Sequence, residues 1–494
     1  AAYGLDHRGF STHAAFFDYD RDGDLDLYLL NHSVHDEKTY GRTSLRRTRD
    51  PKAGDKLFRN DGDRFVDVSA EAGIIGGAVG YGLGVVPTDI DSDGCLDLYV
   101  ANDFHENDYL YRNNCDGTFR EIIAEATGHT SRFSMGVDAG DVNNDGRPDI
   151  VSLDMLPRRE SILKTSASSE GYDLYRIKRR FGYHPQFARN ALQLNQGANR
   201  FSEIGYLAGV EATDWSWAPL FADLDLDGHQ DLFISNGIYR RPNDLDYINY
   251  VSNRSVQSNL EPITQDTPDL LQRMPQVRIP NAAFHNRGDL TFADSAAAWG
   301  LNHAGFSNGA AYADFDGDGD LDLVTNNINE PASLYENRAD SLRSHRFLAV
   351  ALEGSARNPY GIGARVTLWH GGQTHVREHV LSRGYQSSVA PGLHFGTGSA
   401  DTVDSLTVAW PDGRVQTLTD VATNQHLTLR YVDATDGAPP RPPDTAPMRV
   451  ADAPTALDIG FRHIENDFID FNRETLAPHM LSTEGPALAV GDVN

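Results

Sequence analysis

The apolar positions of this chain fall in short β-rich runs separated by polar, glycine-containing turns, and the runs recur. One set comprises Leu25–Leu30, Leu96–Val100, Asp149–Leu153, Asp231–Ser235 and Leu321–Thr325. A second run ending in a turn follows each: Leu57–Gly62, Leu110–Asn114, Leu192–Gly197, Phe284–Gly288 and Leu334–Asn337. A third strand then leads into Ala72-Gly73, Ala208-Gly209 or Trp299-Gly300, and a Gly-rich run such as Gly80–Gly84 precedes the next unit. Short strands repeating at a period of tens of residues predict a solenoid or propeller. Antiparallel strands with such turns are the blade of an all-β propeller, where radial repetition leaves only short edges.

Each unit carries a polar loop of the form Asp-x-Asp-x-Asp-Gly-x-x-Asp, starting at Asp18, Asp89, Asp141, Asp223 and Asp314. A hard cation of the Ca²⁺ type takes about six to eight oxygens at roughly 2.3–2.6 Å, so alternate residues must point inward around a sharp turn. Gly23, Gly94, Gly146, Gly228 and Gly319 supply the turn, because glycine reaches positive φ without a Cβ clash. Positions 1, 3, 5 and 9 give the side-chain ligands. They are Asp18, Asp20, Asp22 and Asp26 in loop 1; Asp89, Asp91, Asp93 and Asp97 in loop 2; Asp141, Asn143, Asp145 and Asp149 in loop 3. Loop 4 offers Asp223, Asp225, Asp227 and Asp231, and loop 5 offers Asp314, Asp316, Asp318 and Asp322. Position 7 varies through Asp24, Cys95, Arg147, His229 and Asp320, as expected if only its backbone carbonyl meets the ion. Asn143 replaces a carboxylate and predicts a weaker third site. Asp and Gly favour turns for their own reasons, but five copies in register favour about five calcium sites.

Loop spacings of 71, 52, 82 and 91 residues place a bare blade near the shortest value and insertions elsewhere. Residues 154–190, with the basic stretch Tyr172–Phe181, read as a helical insertion, and 238–280, with Tyr239-Arg240-Arg241 and Tyr247–Tyr250, as another. Long insertions tend to carry recognition, although aromatic and arginine side chains also serve simply to pack the propeller face. The boundaries predicted are a propeller over 1–343, a separate small β domain over 344–432, a Pro-rich linker over 433–456, and the start of a second calcium-repeat region over 457–494. Gly491-Asp492-Val493-Asn494 repeats Gly140-Asp141-Val142-Asn143, and both ends read as cut from a longer protein.

Composition narrows the partners. The formal charge is −28 over 494 residues, which disfavours nucleic acid, since phosphate binding needs a basic surface. No apolar run is long enough to span a membrane. Low-affinity calcium loops suit millimolar external calcium, so an extracellular or outer-membrane surface location is expected. The two cysteines fit that location. Strands over Asp97–Asn102 and Asp108–Asn113, paired so that residue numbers sum to 210, set Cys95 opposite Cys115. A disulfide and two free thiols both remain open at this point.

The loops with their flanking strands resemble FG-GAP/VCBS repeats, the blades of integrin-α-like propellers. Asn358–Val366, Ser382–Ser388, His394-Phe395-Gly396 and Trp410–Gly413 resemble the ASPIC/UnbV domain of cartilage acidic protein and its bacterial relatives. The resemblance implies a fragment of a larger bacterial surface protein and a seven-bladed ring, with two repeats upstream of Ser11–Phe17. With five blades the ring should be open, or closed by something else.

The expected function is a calcium-stabilised adhesion module or scaffold that binds a glycan or surface protein. The alternatives are a self-assembling structural component or an accessory of an outer-membrane glycan-uptake complex. A polysaccharide-degrading enzyme is a weaker reading, because no Gly-x-Ser-x-Gly elbow, His-Glu-x-x-His or Cys/His zinc cluster is present. His463, Glu465 and Asp467 would only line one face of a strand. Trp215 and Trp217 read as blade packing before a sugar platform.

Overall fold

The computed structural model describes residues 2–34, 43–167, 171–258, 267–342 and 344–442, with 463–464, 468–474, 480, 482 and 485. Four four-stranded antiparallel sheets form blades 1 to 4, and a three-stranded sheet forms blade 5. Their inner strands are Ser11–Phe17, Gly82–Thr88, Val137–Gly140, Ser216–Ala222 and Ser307–Ala313, and consecutive inner strands lie side by side. The second strand of each of blades 1 to 4 is almost wholly buried, as in Asp97–Asn102 and Asp231–Asn236, whereas Asp322–Asn327 of blade 5 is less so. That burial follows from blades stacking on both of its faces.

Every acidic loop joins the first strand of a blade to the second, so all five lie at one end of the propeller. The long insertions join second strands to third and emerge at the other end. They contain the helices Glu160–Leu163, Tyr172–Arg180, Leu245–Ser258 and Thr267–Arg273. The two insertions clasp each other through Ala167 N–H to Asn243 O at 2.7 Å and Leu245 N–H to Thr165 O at 2.8 Å. Some of their cationic groups are spent on packing: Arg241 is 2 % exposed and pairs with Asp214 at 2.5 Å, and the buried Lys178 donates to Gln186 Oε1 at 2.8 Å.

Residues 346–430 form a two-layer β-sandwich. One sheet holds Arg346–Glu353, Leu393–Gly398 and Gln425–Arg430; the other holds Arg365–His370, Gln373–Glu378, Thr402–Ala409 and Val415–Ala422. Leu348, Val350 and Phe395 face Val366, Leu406 and Val408 in one core. That core reaches past residue 432, since Ala434 is buried in it and Thr435 bridges Val415. The packed part of the expected linker therefore belongs to the sandwich, while 443–456 lies outside the described residues. So do the sixth loop at 491–494 and most of 457–490.

Far from standing apart, the sandwich sits on the acidic loops of the propeller. Glu378 accepts from Thr88 Oγ1 at 2.6 Å and Asp89 N–H at 3.2 Å. Arg365 donates to Gly146 O, and His375 Nδ1 lies 2.8 Å from Gly228 O. Gly396 N–H donates to Asp223 Oδ2 at 3.0 Å, His394 Nε2 lies 2.9 Å from Gly319 O, and Arg21 Nε donates to Pro411 O at 3.1 Å. All five loops are thus touched by one domain.

From the sandwich a hairpin, Ser382–Arg383 paired with Ser387–Ser388, enters the propeller axis and packs against the inner strands of all five blades. Ser382 Oγ donates to Ala14 O at 3.0 Å, and His13 Nε2 lies 3.0 Å from Ser387 O. Gly384 exchanges backbone bonds with Val137 at 2.9 and 3.2 Å. A side chain at Gly384 would be strained at φ +70 and its Cβ would lie 3.1 Å from Ala218 Cβ. Each blade is a separate sheet among the described residues, and the axial hairpin touches both blade 1 and blade 5.

The register of one hairpin differs from expectation. Leu98 pairs with Tyr111 and Tyr99 with Leu110, a sum of 209 rather than 210. A one-residue slip turns every side chain to the other face, so the cysteines are not opposed within the ladder. The Cys95–Cys115 disulfide nevertheless forms across a Cα separation of 5.8 Å, because both residues lie beyond the paired segment and Cys115 takes φ +57 in the turn.

A pH prediction arises in the sandwich. His379 is 2 % exposed, its Nε2 accepts Gly392 N–H at 3.0 Å, and its Nδ1 lies 3.3 Å from Gly361 O. Burial lowers its pKa to about 4, which locks it neutral in the native state. An unfolded His protonates near 6.5. The native state is therefore favoured above that value, and the contribution falls away as pH drops from about 6.5 toward about 4. Melting curves across this window should be less steep in pH for His379→Gln than for the parent; identical slopes would contradict the assignment.

Candidate metal centres

The five loops share one hydrogen-bond plan. The position-1 carboxylate accepts the position-6 glycine N–H, from Gly23 to Asp18 at 3.0 Å through Gly319 to Asp314 at 3.1 Å. Position 5 accepts the N–H of position 7 at 2.8–3.2 Å. Those glycines all have φ between 87 and 98, which explains why each copy spends a glycine there.

Ligand-capable oxygens converge within 4.8 Å of one another for Asp18, Asp20 and Asp22 in loop 1, for Asp89, Asp91 and Asp97 in loop 2, and for Asp223, Asp225 and Asp231 in loop 4. His285 joins Asp225 and Asp227 in a similar group, a neighbour the loop motif does not reveal. Asp18 Oδ1, Asp20 Oδ1 and Asp91 Oδ1 are buried and receive no hydrogen bond from the protein. Burial, with Asp20 and Asp22 adding repulsion, pushes Asp18 up to about 6 against the Gly23 N–H. Burial likewise takes Asp89, Asp141 and Asp231 to about 7. A divalent cation among such groups would reverse both burdens by favouring the ionised form, so the donor set fits a hard cation.

Position 9 has a second use. In every blade one of its oxygens accepts the N–H of position 2 at 2.9–3.1 Å. The other accepts the backbone N–H of an asparagine on the third strand or just after it: Asn60, Asn113, Asn195, Asn286 or Asn337, at 2.6–2.9 Å. A carboxylate has about four lone-pair sites, so Asp26, Asp97, Asp149, Asp231 and Asp322 retain capacity for an ion.

These asparagines are the residues that motif reading passed over. Each donates to the position-8 carbonyl of its own loop, and four also donate to the position-2 carbonyl of the preceding loop. Those bonds are Asn113 to Tyr19 O, Asn195 to Ile90 O, Asn286 to Val142 O and Asn337 to Leu224 O, at 2.8–2.9 Å. The signal was an invariant Asn in every repeat unit. Asn195→Ala would strand two carbonyls and the Gly197 N–H, so we expect a loss of about 1–3 kcal/mol in urea unfolding. A loss within error of zero would contradict the stapling role.

Position-7 side chains are engaged rather than idle. Cys95 is disulfide-bonded; Arg147 pairs with Asp145 at 3.2 Å, His229 meets Asn144 at 3.1 Å, Asp320 accepts Asp340 N–H at 3.2 Å, and Arg357 reaches Asp24 at 3.8 Å. Their chemistry varies because their partners do.

At the opposite end, half-buried rings gather around the hairpin tip. Tyr81 lies 5.0 Å from Phe104, Phe104 lies 6.4 Å from Phe133, and Trp217 lies 4.8 Å from Tyr385. Trp217 donates to Gly237 O at 2.7 Å, so it packs the blade while keeping part of its ring at the mouth.

Residues 354–436 match the ASPIC and UnbV family, and residues 89–152 and 272–325 match the FG-GAP-like repeat. Cartilage acidic protein 1 from Mus musculus is 25 % identical over 82 % of this chain and 53 % of its own length. The Xenopus tropicalis protein of that name is 27 % identical over 71 % and 44 %, and the Homo sapiens protein 26 % over 71 % and 43 %. The chain spans about half the length of these relatives. Among solved structures, an Agrocybe aegerita lectin specific for non-reducing terminal N-acetylglucosamine aligns over 67 % of this chain and 82 % of its own at 15 % identity and TM-score 0.28. The V. cholerae biofilm matrix protein Bap1 aligns over 85 % and 61 % at 12 % identity and TM-score 0.25. From its sequence matches, this chain joins FG-GAP-like repeats to an ASPIC and UnbV domain and is related, at low identity, to cartilage acidic protein 1.

Proposed function

We propose that this protein is an extracellular, calcium-stabilised β-propeller that acts as an adhesion module or scaffold for a glycan or protein at the cell surface. The observation that carries the reading is the set of buried carboxylate oxygens without protein donors, repeated at one end of the ring. Ca²⁺ would be held by the carboxylates of positions 1, 3, 5 and 9 and would supply rigidity rather than chemistry. A disulfide supports an oxidising compartment, where such bonds persist, and the matched relatives are named for cartilage. The reading gives no residue a catalytic role.

With the loop end covered by the sandwich, recognition falls to the opposite face, where the insertions and the rings around Tyr385 gather. Aromatic faces with a nearby polar group suit sugars and protein side chains alike. A glycan array and a pull-down, run in millimolar calcium and in chelator, test this. Calcium-dependent capture abolished by Tyr385→Ala supports it, and silence with the fold intact overturns it.

Self-association is a second reading with its own observation. Leu334 is 66 % and Phe315 55 % exposed on blade 5, whereas their counterparts Leu110 and Ile90 in blade 2 are 0 % and 1 % exposed. That apolar face at the end of the row of blades would be covered by a further blade or by a second copy. Solution mass of the chain distinguishes a monomer from an assembly.

A further inference from the structure

The five loops do not face the same neighbour. The residue just before each staple asparagine is Arg59, Arg112, Leu194, His285 or Glu336, next in the chain to the backbone N–H that the position-9 carboxylate of its loop accepts. Arg112 turns inward: its Nε donates to Asp91 Oδ2 at 2.7 Å, and its Nη2 is 3.8 Å from Asp93 Oδ2. Arg59 instead donates to Asp61 at 2.8 Å, outside its loop, and meets the loop 1 ligand Asp20 only through its charge. Leu194 is apolar and buried, His285 Nδ1 lies 3.3–3.4 Å from Asp231 and Asp225, and Glu336 is exposed and acidic. Loop 2 alone also has a covalent closure, because its position-7 Cys95 is bonded to Cys115 in the turn that follows Asn113.

From this pattern we infer that the residue before each staple asparagine grades the cation affinity of its loop, and that Arg112 with the Cys95–Cys115 bridge makes loop 2 a weaker cation site by doing part of the ion's work. The inference rests on the calcium reading above and refines it. The guanidinium takes one oxygen of Asp91 and offsets charge at two of the four candidate ligands, while the disulfide fixes the loop against the neighbouring turn whether or not an ion is present. Loop 3 is weakened by a different route: Asn143 lacks a charge and Arg147 engages Asp145. Loops 1, 4 and 5 keep their full carboxylate complement with no arginine hydrogen-bonded to a ligand: Arg59 reaches Asp20 only through its charge, His285 is a ligand-capable neighbour of loop 4, and the residue before the loop 5 asparagine is the acidic Glu336. Affinity in such loops follows the count of ligand charges.

The test is to count bound ions on the full 494-residue chain by native mass spectrometry during titration with Ca²⁺ and, separately, with Tb³⁺. Three ions are expected to enter first and two about tenfold later, in keeping with charge-graded affinity. Arg112→Gln should move one late ion into the early group, and Arg59→Gln should leave the order unchanged. In the opposite direction, Glu336→Arg should delay one early ion, a gain-of-arginine test that does not depend on Arg112→Gln folding. Five ions entering together in the parent, or an order unaffected by both Arg112→Gln and Glu336→Arg, would overturn the inference while leaving calcium binding intact. No ion bound by any variant at millimolar concentration would overturn the calcium reading and this inference with it.

Discussion

Calcium-depleted protein is expected to melt at a markedly lower temperature than protein in millimolar calcium. An ion that binds only the folded state stabilises it by about 2.7 kcal/mol at a hundredfold excess over its Kd. Five graded sites would therefore contribute several kcal/mol in total, a shift on the order of ten degrees. The effect should not stop at the loops. Glu378, Arg365, His375 and His394 of the sandwich bond the loop backbones and side chains directly. Loss of the ions should therefore also expose the sandwich junction, including the segment after Ser382, to protease. Differential scanning calorimetry with and without chelator is the measurement. Superimposed melting curves would remove calcium from the account and leave the acidic loops as turns.

The second large effect is expected at Arg383. Its guanidinium is buried in the propeller axis, 2.6 Å from Asp138 Oδ1 and 2.9 Å from Ala139 O, and Asp138 Oδ2 accepts Phe221 N–H at 2.7 Å. The joint therefore ties the hairpin to blades 3 and 4 at once. Burial disfavours the charge on Arg383, but the Asp138 carboxylate more than offsets this and raises its pKa. Arg383→Ala would leave Asp138 buried and unpaired, and breaking such a pair costs roughly 3–5 kcal/mol. Arg383→Met with Asp138→Leu should recover part of that loss, because replacing both charges removes the orphan. Urea denaturation of the single and double variants measures both. A single-variant loss below about 1 kcal/mol would mean the axial hairpin is a passenger.

Much of this architecture could be read from residues close together in the chain. The Asp-x-Asp-x-Asp-Gly pattern needs only nine residues to declare a tight turn with inward oxygens, and the structure builds each copy on the same backbone bonds. The alternation in segments such as Leu25–Leu30 sufficed for the blades. The disulfide was not decided by the sequence: the register that opposed the two cysteines is one residue off, and the bridge forms because both sit in turns beyond the ladder. The staple asparagines were visible as a repeat but carried no recognisable chemistry. Their partners are main-chain carbonyls, which no sequence pattern distinguishes.

The docking of the sandwich had no such local signature. Ser382 and Ala14 are 368 positions apart, and Arg383 and Asp138 are 245 apart. The sequence by itself determined five acidic turns, the β-rich repeat around them and a second β domain of different pattern, because each is written in local spacing and in the conformational needs of Gly and Asp. Tertiary structure alone decided that the second domain covers the loop end, that its hairpin fills the axis, and that the insertions and aromatic rings gather at the other mouth. Those outcomes depend on which buried polar groups find partners when distant segments meet, and that is a property of the packed interior rather than of any stretch of chain.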